Sequence, residues 1–251
     1  MNPILHSKYL TVLAIAFMLT ACCRSRNEVN LDNIGEITVT CPEASQYLPD
    51  FPPFADRESF FNDSLMYRRT YALRSTERLT QAVTDARLDI DFYLERYGRA
   101  MGLQLSTEKA PAIARYLETT YMFARSGVLT AKTKFLRQRP YSYFDEQSAI
   151  PEDESTTEDF SSYPSGHSTR AWSIVMALVA IDDTHLSDIV KVGMEIGESR
   201  MIVGFHYASD VEYAKIAASI AFSKLVSDPE YMKLMGLARR ELETLRKASI
   251  Q

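Results

Sequence analysis

Residues 106–138 read "STEKAPAIARYLETTYMFARSGVLTAKTKFLRQ", and their periodicity decides the fold. Apolar positions recur every three or four residues with Ala, Leu, Arg and Glu between them, the stripe of an amphipathic helix. Ser106, Thr107 and Glu108 supply the expected start, because a hydroxyl and an early acid satisfy the first free N–H groups. The same spacing runs through residues 60–97. Further on it predicts helices over about 167–182, 185–203, 207–227 and 229–248. Only "EITVT" at 36–40 alternates like a strand. Nine glycines in 251 residues, sustained helical periodicity and the absence of an internal repeat predict an all-α protein, one compact helical domain over residues 46–251.

Two connecting stretches stand out. "YLPDFPPFADRESF" at 47–60 holds four aromatic residues and three prolines, which suits a segment wrapped over a core better than an element of its own. "FDEQSAIPEDESTTEDFSSY" at 144–163 is acidic and rich in Ser and Thr, and predicts a solvated surface loop between helices.

At the N-terminus, Lys8 precedes the apolar run "YLTVLAIAFMLTA". That run is short for a membrane span and has the form of a secretory signal peptide over residues 1–21. It ends in "LTAC", residues 19–22, which resembles the lipobox of bacterial lipoproteins. Cys22 is then the expected lipidation site, placing the protein in the periplasm as a membrane-anchored lipoprotein of the bacterial envelope. Ordinary signal cleavage nearby is the alternative. Residues 22–45 are polar and weakly patterned, as in a flexible tether. Cys23 and Cys41 are the remaining thiols; they do not make a disulfide framework, and no Cys/His spacing suggests zinc. With 28 Lys and Arg against 33 Asp and Glu, the net charge is −5, so the footprint of a nucleic-acid-binding protein is absent.

Three separated segments gather cations and hydrogen-bond donors of the kind an oxyanion needs. In "KTKFLRQRP", Lys132 and Arg139 are seven residues apart, so a helix continuing to Pro140 would set both on one face. In "YPSGHS", Ser165 and Gly166 stand at a predicted helix entrance, where backbone N–H groups can meet an anion, and His167 follows. In "SRMIVGFHYASD" at 199–210, a helix starting near Tyr207 puts Asp210 one turn after His206. The carboxylate can then hold one ring nitrogen and leave the other as a nucleophile. Arg200, ending the preceding helix, can fork onto phosphate oxygens. Each segment also has an ordinary structural reading when taken alone. His6, in the leader, and His185 show no partner pattern.

Taken together, the segments resemble the signature of the type 2 phosphatidic acid phosphatase superfamily. That signature is Lys, six residues, Arg-Pro; then Pro-Ser-Gly-His; then Ser-Arg, five residues, His, three residues, Asp. Lys132, Arg139, Pro140, Pro164, Ser165, Gly166, His167, Ser199, Arg200, His206 and Asp210 match every position. "YLPDFPPF", "FFNDSLMY", "STER" and "SYPSGHSTRAW" extend the similarity, over roughly residues 46–235, to the bacterial class A nonspecific acid phosphatases. The resemblance implies an all-α core and metal-independent hydrolysis of phosphomonoesters through a phosphohistidine, with no cofactor. It implies His206 as nucleophile, Asp210 as its partner and His167 as acid and base. Lys132, Arg139, Arg200, Ser165 and Gly166 would hold phosphate. Self-association is common among such proteins, so a homo-oligomer is compatible. Val203 stands where many class A members have a cysteine, so a family disulfide is missing. The alternatives are an envelope lipid-phosphate phosphatase of the same superfamily, a vanadate-dependent haloperoxidase, and a non-catalytic phosphate-binding lipoprotein.

Overall fold

The computed structural model describes residues 31–249; the leader, Cys22 and Cys23 lie outside them. The helices are α1 (Ala44–Tyr47), α2 (Arg57–Ala72), α3 (Arg78–Thr84), α4 (Ile90–Ala100), α5 (Pro111–Phe135) and α6 (Pro140–Tyr143). They continue as α7 (Pro151–Glu154), α8 (Gly166–Ile181), α9 (Leu186–Ile202), α10 (Ala208–Leu225) and α11 (Pro229–Ser249). No strand occurs among the described residues. The chain is all-α, as its periodicity predicts.

Helix α8 is the centre of the packing and lies against α5, α9 and α10. It is buried on nearly every side: Ala171, Ile174, Ala177 and Leu178 are fully buried, and so are the polar Thr169 and Ser173. A helix apolar around most of its circumference has no stable place except inside. Helix α5 contributes a stripe through Ile113, Tyr116, Leu117, Thr120, Ala124, Val128 and Ala131. Helix α11 closes over it. There Glu241 accepts the free N–H groups of Ile113 at 2.8 Å and Ala112 at 3.3 Å, while Thr120 and Tyr231 share a hydroxyl hydrogen bond of 2.7 Å.

The periodic stretch 60–97 is broken into shorter helices because it carries its own caps. Asp56 accepts from Glu58 and Ser59 to start α2, and Asp89 accepts from Phe92 to start α4. Ser106 does not start α5. It closes a preceding turn, accepting Lys109 N on its hydroxyl and Ala110 N on its carbonyl, and the helix begins at Pro111, whose ring suits a first helical position. The helix also stops early: Leu136 takes the left-handed conformation at φ 47°, so Arg139 lies beyond α5, and Lys132 and Arg139 do not share a helical face.

"EITVT" is extended without a sheet partner. From Gly35 onward the stretch expected as tether is fastened to the start of α11. Glu230 accepts Gly35 N at 2.8 Å and Asp228 accepts Thr38 N at 2.9 Å. The proline-rich stretch 47–60 does wrap: Phe54 stacks on Tyr143 at 4.3 Å and meets Phe60 edge-on at 5.1 Å. The 144–163 connector is not simply solvated. Its acids are largely exposed, but Ser148, Ile150, Ser161, Ser162 and Tyr163 are buried, and its backbone grips Arg139. Val203 is fully buried among Tyr141, Ile150, Ile202 and Phe205, so apolar packing and no sulfur bridge occupies that position.

Candidate active site

The turn between α9 and α10 sets the geometry. Gly204 has φ +90°, and a Cβ there would lie 2.3 Å from Arg74 Nη2, so only glycine fits. Arg200 O at the end of α9 accepts Phe205 N at 3.1 Å and His206 N at 3.3 Å. The imidazole is thereby placed just ahead of α10, next to the guanidinium of the last turn of α9. Ser199, the neighbour of Arg200 in the signature, is a structural tie, donating to Asp85 Oδ2 at 2.6 Å and accepting from Arg78 Nη2 at 2.8 Å.

A cavity of about 330 Å³ opens here, lined by Arg139, Arg200, His167, His206, Phe205, Ala86 and Leu88, with Asp153, Thr156 and Thr157 from the 144–163 connector. Arg139 is almost wholly buried. Its Nε donates to Glu158 O at 3.0 Å, Nη1 to Phe205 O at 3.0 Å and Nη2 to Ser161 Oγ at 2.8 Å, and Nη1 stands 3.4 Å from His206 Nε2. The connector therefore achieves what the early end of α5 forgoes, bringing Arg139 back beside Lys132: the Ser161 carbonyl accepts Arg139 Nη2 at 3.1 Å and Lys132 Nζ at 2.5 Å. Arg200 differs from both. It is 1% exposed, its Nε and Nη1 have no partner among the described residues, and its plane faces Phe205 at 5.1 Å. Buried donors left unmatched are costly, and Arg200 has two of them on the cavity, available to an entering anion.

Ser165 is the N-cap of α8, accepting from Ser168 N. Helix geometry leaves the N–H groups of Gly166 and His167 without an intrahelical acceptor. A Cβ on Gly166 would meet only Lys132 Cε, at 3.9 Å, so glycine keeps the space between the lysine and the helix end open. His167 Nε2 lies 3.0 Å from Ala86 O. A carbonyl only accepts, so Nε2 carries the proton and Nδ1 is the nitrogen left for chemistry.

Asp210 is fully buried. Its carboxylate receives Arg137 Nη1 and Ser162 Oγ, each at 2.5 Å, and Tyr207 N at 2.8 Å, and its carbonyl accepts Ser165 N at 3.1 Å. His206 Nδ1 stands 3.5 Å from Asp210 Oδ2, oriented toward the carboxylate at more than ordinary hydrogen-bond length. Burial raises the Asp210 carboxyl, but Arg137, His206 and Ser162 outweigh it and hold it well below the usual carboxylate range. For the cations the balance runs the other way. Burial brings His206 down to about 3, against the pull of Asp210, and brings Lys132 down to about 7 and Arg200 to about 10, Arg139 adding its repulsion to each. Burial and then Arg200 also depress His167 well below its ordinary value. A site that discourages its own cations is one that an entering anion recharges.

The structure thus gathers Lys132, Arg139, Ser165, Gly166, His167, Arg200, His206 and Asp210 around one location. Sequence reasoning missed Arg137, although it lies inside "KTKFLRQRP". It also missed Asp63, Ser162 and the carbonyls of Ala86 and Ser161, which no side-chain pattern signals. His185, read as partnerless, pairs through Nδ1 with Asp182 at 3.0 Å and does not line the cavity.

The PAP2 superfamily model matches residues 115–228, a span holding the whole constellation from Lys132 to Asp210. A non-specific acid phosphatase of Providencia stuartii is 35% identical over 199 residues, covering 78% of this chain and 79% of its own. The chain belongs to the PAP2 superfamily. Within it, the similarity is to bacterial class A acid phosphatases. A non-specific acid phosphatase of Salmonella typhi is 28% identical over 197 residues, with 78% of each chain covered. An acid phosphatase of Zymomonas mobilis is 30% identical over 195 residues, 78% of this chain and 74% of its own. The PAP2 match leaves Asp63, on α2, outside its bounds.

Proposed function

We propose that this protein is an acid phosphatase that hydrolyses phosphomonoesters through a phosphohistidine at Nε2 of His206. The observation that carries the reading is Arg200, buried with Nε and Nη1 unpartnered in the same cavity as both histidines. The phosphoryl oxygens would take those donors, those of Arg139 and Lys132, the Ser165 hydroxyl and the Gly166 N–H. In this reading these groups would hold the negative charge of the phosphoryl group during transfer. Among the described residues no three His, Cys, Asp or Glu side chains are grouped to hold a metal ion, and in this reading the three cations do the neutralising.

The Nε2 lone pair attacks phosphorus as the ester P–O bond breaks, and the departing oxygen takes a proton from His167. Asp210 holds Nδ1–H and offsets the charge that grows on the ring. Water then attacks phosphorus, His167 accepts its proton, and the P–N bond breaks with the electron pair returning to Nε2. The substrate's negative charge opposes the depression of His167 and so favours its protonated form. The test is hydrolysis of p-nitrophenyl phosphate: His206→Ala should abolish it, vanadate should block it and exhaustive chelation should leave it intact. Activity lost on chelation and restored by a divalent ion would overturn the reading.

We also propose that Cys22 carries a lipid anchor facing the periplasm, supported by "LTAC" after the apolar run. No helix among the described residues is long and apolar enough to cross a membrane. Metabolic acyl labelling should mark the wild-type chain and not Cys22→Ala; an unlabelled wild-type chain would contradict the anchor.

A further inference from the structure

Arg137 is fully buried, and no substrate-facing role accounts for it, since it does not line the cavity. Its Nη1 donates to Asp210 Oδ1 and, at 2.7 Å, to Ser209 Oγ, while Nη2 donates to Asp63 Oδ2 at 2.6 Å. The guanidinium lies against the Tyr207 ring at 4.1 Å and the Phe51 ring at 4.8 Å. Asp63 in turn accepts Ser209 N at 2.8 Å and Ser209 Oγ at 2.5 Å. One arginine therefore ties a carboxylate of α2 to the carboxylate that faces the proposed nucleophile, across the first turn of α10. Removing one partner from such a buried network leaves an uncompensated charge, the costly outcome for buried ion pairs.

The arrangement divides the Asp210 carboxylate. Oδ1 belongs to Arg137. Oδ2 is shared by Ser162 Oγ, Tyr207 N and, as its longest neighbour at 3.5 Å, His206 Nδ1. A carboxylate with no other partner would sit closer to the imidazole and favour imidazolium, which has no lone pair to attack phosphorus.

We infer that Arg137 is a positioning residue that acts through Asp210: it fixes the carboxylate and takes up part of its charge, so that Asp210 orients His206 and still leaves the ring neutral. The inference rests on His206 being the nucleophile. It follows that the charge of the Asp63–Arg137–Asp210 cluster sets the lowest pH at which the enzyme works. The cluster carries one net negative charge. Arg137→Gln makes it two, which favours imidazolium, whereas Asp63→Asn makes it zero, which disfavours it. The other charged and titratable groups around the imidazole are Lys132 from α5, Arg139 from the segment before α6, Asp153 from α7, His167 from α8 and Arg200 from α9; none changes in these variants.

The experiment is the pH profile of kcat/KM for p-nitrophenyl phosphate, which reports the free enzyme's essential ionisations. Wild type should keep activity well into the acid range, consistent with an imidazole held down to about 3. Arg137→Gln should move the acid limb up by about one pH unit, the scale of a nearby charge, and lower kcat about tenfold or more with KM little changed. Asp63→Asn should move the limb the other way. The double variant Arg137→Gln/Asp63→Asn restores one net negative charge and should bring the limb back toward wild type. Arg137→Lys keeps the charge without the fork, so it should keep the limb and lose kcat. If Arg137→Gln fails to fold, the downward displacement in Asp63→Asn, set against the unmoved limb of Arg137→Lys, still decides the question.

A purely structural role would lower the yield or melting temperature of folded protein with the limb unmoved in all variants, and that result overturns the inference. Trapping of the wild-type phosphoenzyme is run alongside. No label on wild type indicts the nucleophile itself, whereas label on wild type with unmoved limbs indicts only Arg137.

Discussion

Lys132 connects burial to ligand binding at a single nitrogen. Desolvation and Arg139 bring its ammonium down to about 7, so below that pH the charge is already present, and above it the proton must be taken up when an anion arrives. Binding of a non-titrating oxyanion such as tungstate at about pH 8 should therefore absorb close to one proton, and affinity should fall as pH rises through about 7. Calorimetry in buffers of different ionisation enthalpy reads the uptake directly. Uptake that persists unchanged in Lys132→Met would contradict the assignment. At this scale the sequence was most legible: the spacings around Lys132, Ser165 and His206 select side chains whose types suit phosphate and whose positions prove to be adjacent. Arg137 was not legible, because an arginine two residues from another on an expected helix reads as a solvated face. Only the early stop of α5 and a partner 73 residues away turn it inward.

Among the elements, the 144–163 connector departs most from its composition. Acid-rich and hydroxyl-rich sequence reads as solvated loop, yet here the charges face out while carbonyls of Glu158 and Ser161 and the backbone of Asp159 hold Arg139. Backbone acceptors are common to every sequence, so composition cannot reveal them. Among the acids Asp153 lines the cavity, and its charge acts on Arg200. A carboxylate there partly neutralises the arginine and repels an entering anion. Asp153→Asn should thus tighten competitive inhibition by inorganic phosphate, by about threefold or more, as expected of one like charge at a half-exposed position. An inhibition constant that is unchanged or weaker would show that Asp153 does not face the phosphate position. Helix boundaries failed for a related reason. Ser106 satisfies a local turn, and Leu136 ends α5 through a left-handed backbone that a leucine does not advertise.

For the molecule as a whole, α8 joins stability to chemistry. Its N-terminus carries Ser165, Gly166 and His167, and its body is the centre of the core. Ile174, fully buried in mid-helix, has no polar role, so Ile174→Ala should cost about 2–5 kcal/mol through lost burial and the cavity left behind. It should leave the kinetics of the remaining folded protein near wild type. Urea denaturation followed by circular dichroism measures the loss, and a cost below about 1 kcal/mol would mean that α8 is not packed as described. The all-α class was legible because helical periodicity survives any error in boundaries. What the sequence left open is which helix lies at the centre, since α5, α8 and α10 all carry apolar residues and only their mutual contacts rank them.

The central claim is covalent chemistry at His206, and the most direct measurement is a rapid acid-free quench of the enzyme with ³²P-labelled phosphomonoester, followed by peptide mapping. The account predicts an alkali-stable, acid-labile label on the peptide containing His206, absent from His206→Ala. Active wild-type enzyme that traps no label under these conditions, or a label on the peptide of His167, would contradict it.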